Sequence, residues 1–400
     1  MILRTPGYYK KFKCTASKCR DNCCLGGWLI ELDEDTVRYY RGLEGEFGKA
    51  LCESLMTDDD GDTCFRLVEG RCPHLDESGL CRVLGEIGEE HMGVVCREFP
   101  RYTNTFGGVT EKGIGLACEE AARLILTNQD AFCLKEEFCE DGNADDSNKD
   151  INDVGNLIDM LLSARDGIFA ILSDRSRGIQ KRMADVLEFA FELQQEINEP
   201  KPGCDWQLRH EGKYERESNG KLSDIREGFE LLTDIFDGLE ALNEKWHVII
   251  EAVREVLFDD ISDGVFKKRL HDAEGPFFDV LFENLMNYFV FRYFMKASED
   301  CNPFDKIRFA VCGCLIIWEM LAAYAVCGKD DLVGGNTPAC GEEKDSDRNP
   351  AGIIPEDIIS LVKIFSRQVE YSEDNVEQIC EEFLFGDDFA VDRLTAMVLV

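Results

Sequence analysis

Residues 13–28 read KCTASKCRDNCCLGGW, with cysteines at positions 14, 19, 23 and 24. This C-x4-C-x3-C-C run is followed at wider intervals by Cys72, Cys81, Cys96 and Cys118. Thiolates are the preferred ligands of zinc and of iron–sulfur clusters, and either needs about four of them. The stretch therefore splits the chain in two. Residues 1–139 form a cysteine-rich metal-binding head, and residues 154–400 an all-α body, so the expected fold class is mainly α. Residues 140–153, EDGNADDSNKDIND, read as a polar acidic linker.

The cysteine distribution supports the division. Twelve of the nineteen cysteines precede residue 140, whereas use of Cys as a small core hydrophobe would spread them evenly. The N-terminus has no long apolar segment of the secretory kind, so a reducing cytoplasm is expected, where thiols stay reduced or bind metal. All eight cysteines at 14, 19, 23, 24, 72, 81, 96 and 118 are candidate metal ligands. They suffice for two four-ligand sites, or for one cluster with spare thiols, which is the preferred arrangement. If residues 17–24 were helical, Cys19 and Cys23 would share a face and Cys24 would turn away by about 100°. Cys23 and Cys24 are then expected to differ in role, with Gly26 and Gly27 freeing the backbone and Trp28 as a lid. His74 and His91 are weaker candidates, in a charged context that suggests exposure. Cys52, Cys64, Cys133 and Cys139 read as packing.

A formal net charge of −36 repels nucleic acid and anionic lipid and favours a basic or Lys-rich partner; solubility, or life in a salty cytoplasm, is the alternative reading. Residues 1–20 oppose the trend with six cations and no acid. Cations beside thiolates would ease burial of an anionic cluster; a solvated basic terminus is the alternative.

In the head, short helices and loops are expected, with helices at 33–40, where Asp33, Glu34 and Asp35 suit an N-terminus, and at 119–127. In the body, apolar residues recur at helical spacing over 156–173, 183–197, 222–237, 242–258, 277–295, 356–370 and 374–385. Loops are expected near 199–222 and 328–354. Residues 309–327, FAVCGCLIIWEMLAAYAVC, approach the length of a membrane span. They lack clear basic flanking clusters, and a buried core helix is the preferred reading, with no stable membrane insertion. Residues 106–115, FGGVTEKGIG, are the nearest thing to a glycine-rich ligand loop, but a turn or hairpin suits them better.

The head resembles the CxxCxxxCC-type zinc- or iron-chelating family and, more closely, the flagellin lysine-N-methylases. The resemblance rests on residues 14–28, on CPHLDESGLC at 72–81, on GEIGEEHMGVVCREFPR at 85–101 and on LACEEAAR at 116–123. The family's usual form of the last is SCPEAAR, so Ala117 and Glu119 depart from it. The resemblance implies a cytoplasmic protein-lysine N-methyltransferase that methylates flagellin. It also implies S-adenosylmethionine as donor and a cysteine-bound iron–sulfur cluster, of 4Fe-4S type, with zinc the alternative. No catalytic residue and no donor-binding residue is assigned. A non-catalytic iron–sulfur or zinc-binding module, or maturation factor, is the alternative function; the missing donor motif favours it, and the large body disfavours it.

Overall fold

The computed structural model describes residues 2–20, 22–25, 30–58, 61–138, 152–200, 220–242, 244–328, 355–385 and 388–400. Gly26, Gly27, Trp28, Cys139, nearly all of the acidic linker and most of the two expected body loops lie outside the described residues.

The fold is mainly α. Its first half carries strands β1 (Ile2–Pro6), β2 (Leu55–Thr57), β3 (Thr63–Phe65), β4 (Arg101–Phe106), β5 (Val109–Ile114) and β6 (Leu134–Phe138). It also carries helices α1 (Glu34–Gly42), α2 (Gly45–Ser54), α3 (Arg82–Ile87), α4 (Val94–Glu98) and α5 (Glu119–Leu126). Helix α1 starts where the acidic run predicts, because Asp33 accepts hydrogen bonds from the Thr36 amide at 2.9 Å and its hydroxyl at 2.7 Å. Residues 17–24 are not one helix. A 3-10 turn over Ala16–Lys18 ends at an extended Cys19, and a second begins at Cys23.

Beyond the short helices and loops expected of the head, β4, β5, β1 and β6 pair in that order in a four-stranded sheet. Strands β4 and β5 form a hairpin across Gly107 and Gly108, both at positive φ, which is the conformation a two-residue turn requires. The FGGVTEKGIG stretch is thus a hairpin. Strand β1 lies parallel to β5 and antiparallel to β6. At Gly113 a Cβ would stand 2.3 Å from Tyr102 Cζ, so the absent side chain lets the Tyr102 ring lie across the hairpin.

The body follows the predicted periodicity. Helices α6 (Asn152–Ser173), α7 (Ile179–Asn198), α8 (Leu222–Asp237) and α9 (Glu244–Leu257) precede α10 (Asp263–Asp272), which was not expected. Helices α11 (Phe278–Tyr293), α12 (Ala297–Asp300) and α13 (Pro303–Cys327) come next. Pro355 opens α14 (Pro355–Val369), and α15 (Glu373–Phe385) and α16 (Val391–Val398) complete the chain. Helix α13 is long and apolar enough to span a membrane, but 89% of its most apolar window is buried, so here it is the core helix. It packs against α7, α9, α11 and α14. Gly313 admits the rings of Phe289 and Phe365 at 3.3 Å from where its Cβ would be. Cys312 and Cys314 are buried as packing.

Packing divides the apolar residues into two clusters. The larger joins the body helices to the four-stranded sheet and α5, through Tyr8, Phe106, Val109, Ile114 and Leu116. The smaller lies around Ile30, Leu32, Val37, Tyr40, Leu51 and Phe65, with Cys24, Cys72, Cys81 and Cys96 in its wall.

Two buried charges generate predictions. Arg165 on α6 makes a bidentate pair with Glu111 on β5, at 2.8 and 2.5 Å, with both side chains fully excluded from solvent. Removing one partner strands a buried charge. Arg165→Met is therefore expected to destabilise by about 3–5 kcal/mol, and Arg165→Met/Glu111→Leu to recover most of it. Denaturant titration of the four members of the cycle measures this.

Glu319 on α13 is also fully buried and accepts from Thr233 Oγ1 at 2.9 Å. Burial holds its carboxyl well above the ordinary carboxylate value, and the bond from Thr233 and the charge of Arg254 do not offset this. A carboxyl with a raised folded value favours folding fully below its unfolded value and less as pH rises. Glu319→Gln keeps the acceptor without the titration. Its thermal midpoint relative to the parent is expected to rise between pH 5 and pH 8; a difference that does not change with pH would contradict the assignment.

Candidate functional site

The cysteines are drawn together by backbone rather than by one regular element. The Cys72 amide donates to the Cys24 carbonyl at 3.0 Å, lacing the second cysteine segment to the first. Asn22 spans the same gap, accepting from the Cys24 amide at 2.9 Å and donating to the Gly79 carbonyl at 3.1 Å. Cys81 pairs with Leu75 through an isolated bridge, Cys96 rides on α4, and Cys118 caps α5.

The thiols of Cys23, Cys24, Cys72, Cys81 and Cys96 consequently lie within electrostatic reach of one another, with Cys118 and Cys19 at the margin. Cys14 is exposed. The adjacent pair behaves asymmetrically. A hydrogen bond from Cys24, helped by Arg367, lowers the Cys23 thiol to about 7, while that bond and burial drive Cys24 far above its ordinary value. Burial, then the neighbouring thiols, push Cys96 up to about 12, and burial pushes Cys118 up to about 11. Among the described residues, no three His, Cys, Asp or Glu side chains stand close enough to hold a metal ion. The donor set, half-buried thiols in an apolar wall, suits a thiophilic metal; closing on one would require the thiols to draw together.

Other polar residues of the first half take structural partners. His74 is buried, contrary to expectation, with Nε2 2.7 Å from Ser54 Oγ. Burial, then Arg82, depress its imidazole to about 4. His91 stacks on Tyr39 with ring centroids 4.0 Å apart. Glu119 and Glu120 occupy the first turn of α5 and pair with Arg20 and Arg123. Arg97 pairs with Glu98, while Arg101 lies over Phe12. Cys64 is buried and Cys52 half-buried; Cys133 is exposed. Cys133 lines a cavity of about 260 Å³ together with Tyr8, Lys11, Phe132 and Lys135.

A second constellation was not anticipated. The Arg292 guanidinium lies 4.7 Å from the ring centre of Tyr102, 5.3 Å from Tyr293 and 5.9 Å from both Tyr288 and Tyr371. Glu370, its side chain fully buried, is 3.2 Å from Arg292 and accepts from the hydroxyls of Tyr288 at 2.8 Å and Tyr293 at 2.9 Å. Arg292 also donates to the Tyr288 hydroxyl at 2.5 Å. Burial works against the charge of Arg292, but Tyr288, Tyr293 and Glu370 outweigh it. This box is joined to the first half of the chain. Asn104 donates to the Arg292 carbonyl at 2.9 Å, and a Cβ on Gly115 would lie 3.0 Å from the Tyr371 hydroxyl. Arg367, a turn before Tyr371, donates to the Ala117 carbonyl at 3.2 Å and reaches Cys23 electrostatically. Cys118 in turn acts on Tyr371. The thiol patch and the tyrosine box thus meet beside Cys118. The sequence signal for the box was Arg292, the one cation in α11, a largely apolar helix that also carries Asp279 and Glu283.

Residues 165–399, which supply Arg292, Arg367, Glu370 and Tyr371, match the family model of the FliB lysine N-methylase C-terminal domain. The chain belongs to the FliB lysine N-methylase family. Among relatives, the Lysine-N-methylase of Salmonella typhimurium is 33% identical over 137 residues, which make up 33% of this chain and 34% of that protein. The Lysine-N-methylase of Salmonella choleraesuis matches to the same extent. The flagellar biosynthetic protein FliU of Salmonella muenchen is 32% identical over 137 residues, 80% of its length. The match with the two lysine-N-methylases therefore spans about a third of their length. No solved structure matches this FliB-family chain.

Proposed function

We propose that this FliB-family protein is a cytoplasmic protein-lysine N-methyltransferase acting on flagellin. The donor is S-adenosylmethionine, and an iron–sulfur cluster of the 4Fe-4S kind sits on the thiol patch. The observation that carries the reading is the meeting of the thiol patch with the buried tyrosine–arginine–glutamate box, within a chain of lysine N-methylase family. Cys72, Cys81 and Cys96, with Cys23 or Cys24, would hold the metal, and zinc is the alternative occupant of the same thiols. A bound cluster supplies folding free energy to a lobe with a small apolar core and a fixed charge beside the box.

The reaction asks three things of the protein: a neutral lysine amine, alignment with the donor methyl, and exclusion of water. The amine nitrogen forms a bond to the methyl carbon as the carbon–sulfur bond breaks, and the amine sheds a proton. Buried phenols and a carboxylate are suited to hold an amine in this way. A chain of −36 charge attracts Lys-rich surface on its substrate.

A non-catalytic metal-binding module is the second reading, favoured by the hairpin form of the glycine-rich stretch, which does not suit that stretch as a donor loop. The two readings differ in the intact mass of a flagellin co-expressed with this protein. Increments of whole methyl groups mapping to lysine are expected. An unchanged mass, with soluble metal-loaded protein, would favour the module.

A further inference from the structure

Two atoms in the tyrosine box have no hydrogen-bond partner among the described residues although both are buried: the Tyr102 hydroxyl and Glu370 Oε2. Leaving such groups unpaired costs about 1–3 kcal/mol each, so their persistence asks for a partner from outside the chain. We propose that the box is the binding site for the substrate lysine's amine, held between Glu370 Oε2 and the Tyr102 hydroxyl, with Tyr371 at its entrance. The inference rests on the lysine N-methyltransferase reading and specifies its substrate end.

Charge and geometry decide for an amine over the donor's carboxylate. Within the box, among the described residues, the charged atom without a hydrogen-bond partner is an acceptor, Glu370 Oε2, which attracts N–H donors and repels a carboxylate. The surrounding rings already receive a guanidinium, so their faces suit a cation. Tyr371 is 36% exposed, opening the box to solvent, and Gly115 lets its hydroxyl approach the backbone, where a Cβ would stand 3.0 Å from it. Arg292 has a further consequence. A fixed cation beside an ammonium favours its neutral form, which is the nucleophile. The ammonium proton passes to Glu370 Oε2. The nitrogen lone pair then takes the methyl from the donor's sulfonium, with the carbon–sulfur electrons staying on sulfur. Glu370 returns its proton to water before the next turnover.

Tyr102→Phe tests this with little risk to the fold, because removing an unpaired hydroxyl from a purely structural cluster is neutral or stabilising. The thermal midpoint is expected to be unchanged or raised. The kcat/KM for flagellin methylation should fall roughly 10- to 100-fold, the value of a hydrogen bond to a charged group. Titration of the metal-loaded parent with n-butylammonium, the end of a lysine side chain, should give a saturable tyrosine difference spectrum that Tyr102→Phe weakens. Loss of either effect overturns the inference. Tyr371→Phe, at a position 36% exposed, carries the same kinetic and spectral expectations should Tyr102→Phe not fold. If flagellin is methylated at full rate by both variants, the amine site is wrong while the activity stands. If flagellin is not methylated at all, the butylammonium spectrum and its dependence on Tyr102 decide the amine site alone.

Discussion

The pair between Arg165 and Glu111 is the constraint on which the rest of the structure depends. Both side chains are wholly removed from water, which costs several kcal/mol per ion before any attraction is counted. A bidentate guanidinium–carboxylate contact offsets that cost only in one narrow geometry. That geometry fixes the register of β5 against α6, the helix in which the family-matched region begins. The residues that follow Glu111 on β5 and on the way to α5 are then placed. Gly113 admits Tyr102, Gly115 faces Tyr371 and Arg292, and Cys118 faces the thiols. An error in that register would disturb both halves of the site.

Seen this way, the cysteine lobe is held from two directions. Backbone hydrogen bonds and Asn22 gather the thiols among themselves, and Arg367 and Glu119 tie the patch to its surroundings. The apolar cluster behind the thiols is small compared with that of the body. A metal that cross-links three separated segments contributes most to such a lobe, because each segment has little burial of its own. Crowded thiols in an apolar wall resist losing their protons, and a bound cation relieves that resistance.

The body was legible because its helices repeat apolar residues strongly and end at Gly, Pro or polar residues. The central helix was legible as core because its stretch 309–327 carries one charge, Glu319, without clear basic flanking clusters, while the other helices are amphipathic. The sheet was not. Strand β6 reads LKEEF and is largely exposed, and β5 contains Glu111, whose burial is explained only by Arg165 far along the chain. Periodicity cannot anticipate a buried charge. His74 misled for a related reason, since its charged surroundings hid the apolar contact with Phe65 and the bond to Ser54. The thiols announced themselves by local density. The tyrosine box could not, because β4, α11 and the end of α14 contribute its members and only the fold brings them together.

The most direct test of the central claim, that the gathered thiols hold an iron–sulfur cluster, is the iron and acid-labile sulfide content of protein purified without oxygen. The account predicts about four of each per chain, with a visible charge-transfer band. Replacing Cys72, Cys81 or Cys96 by Ser should remove the band, and replacing the exposed Cys14 should leave it. Protein that carries neither iron nor zinc while remaining folded would contradict the claim.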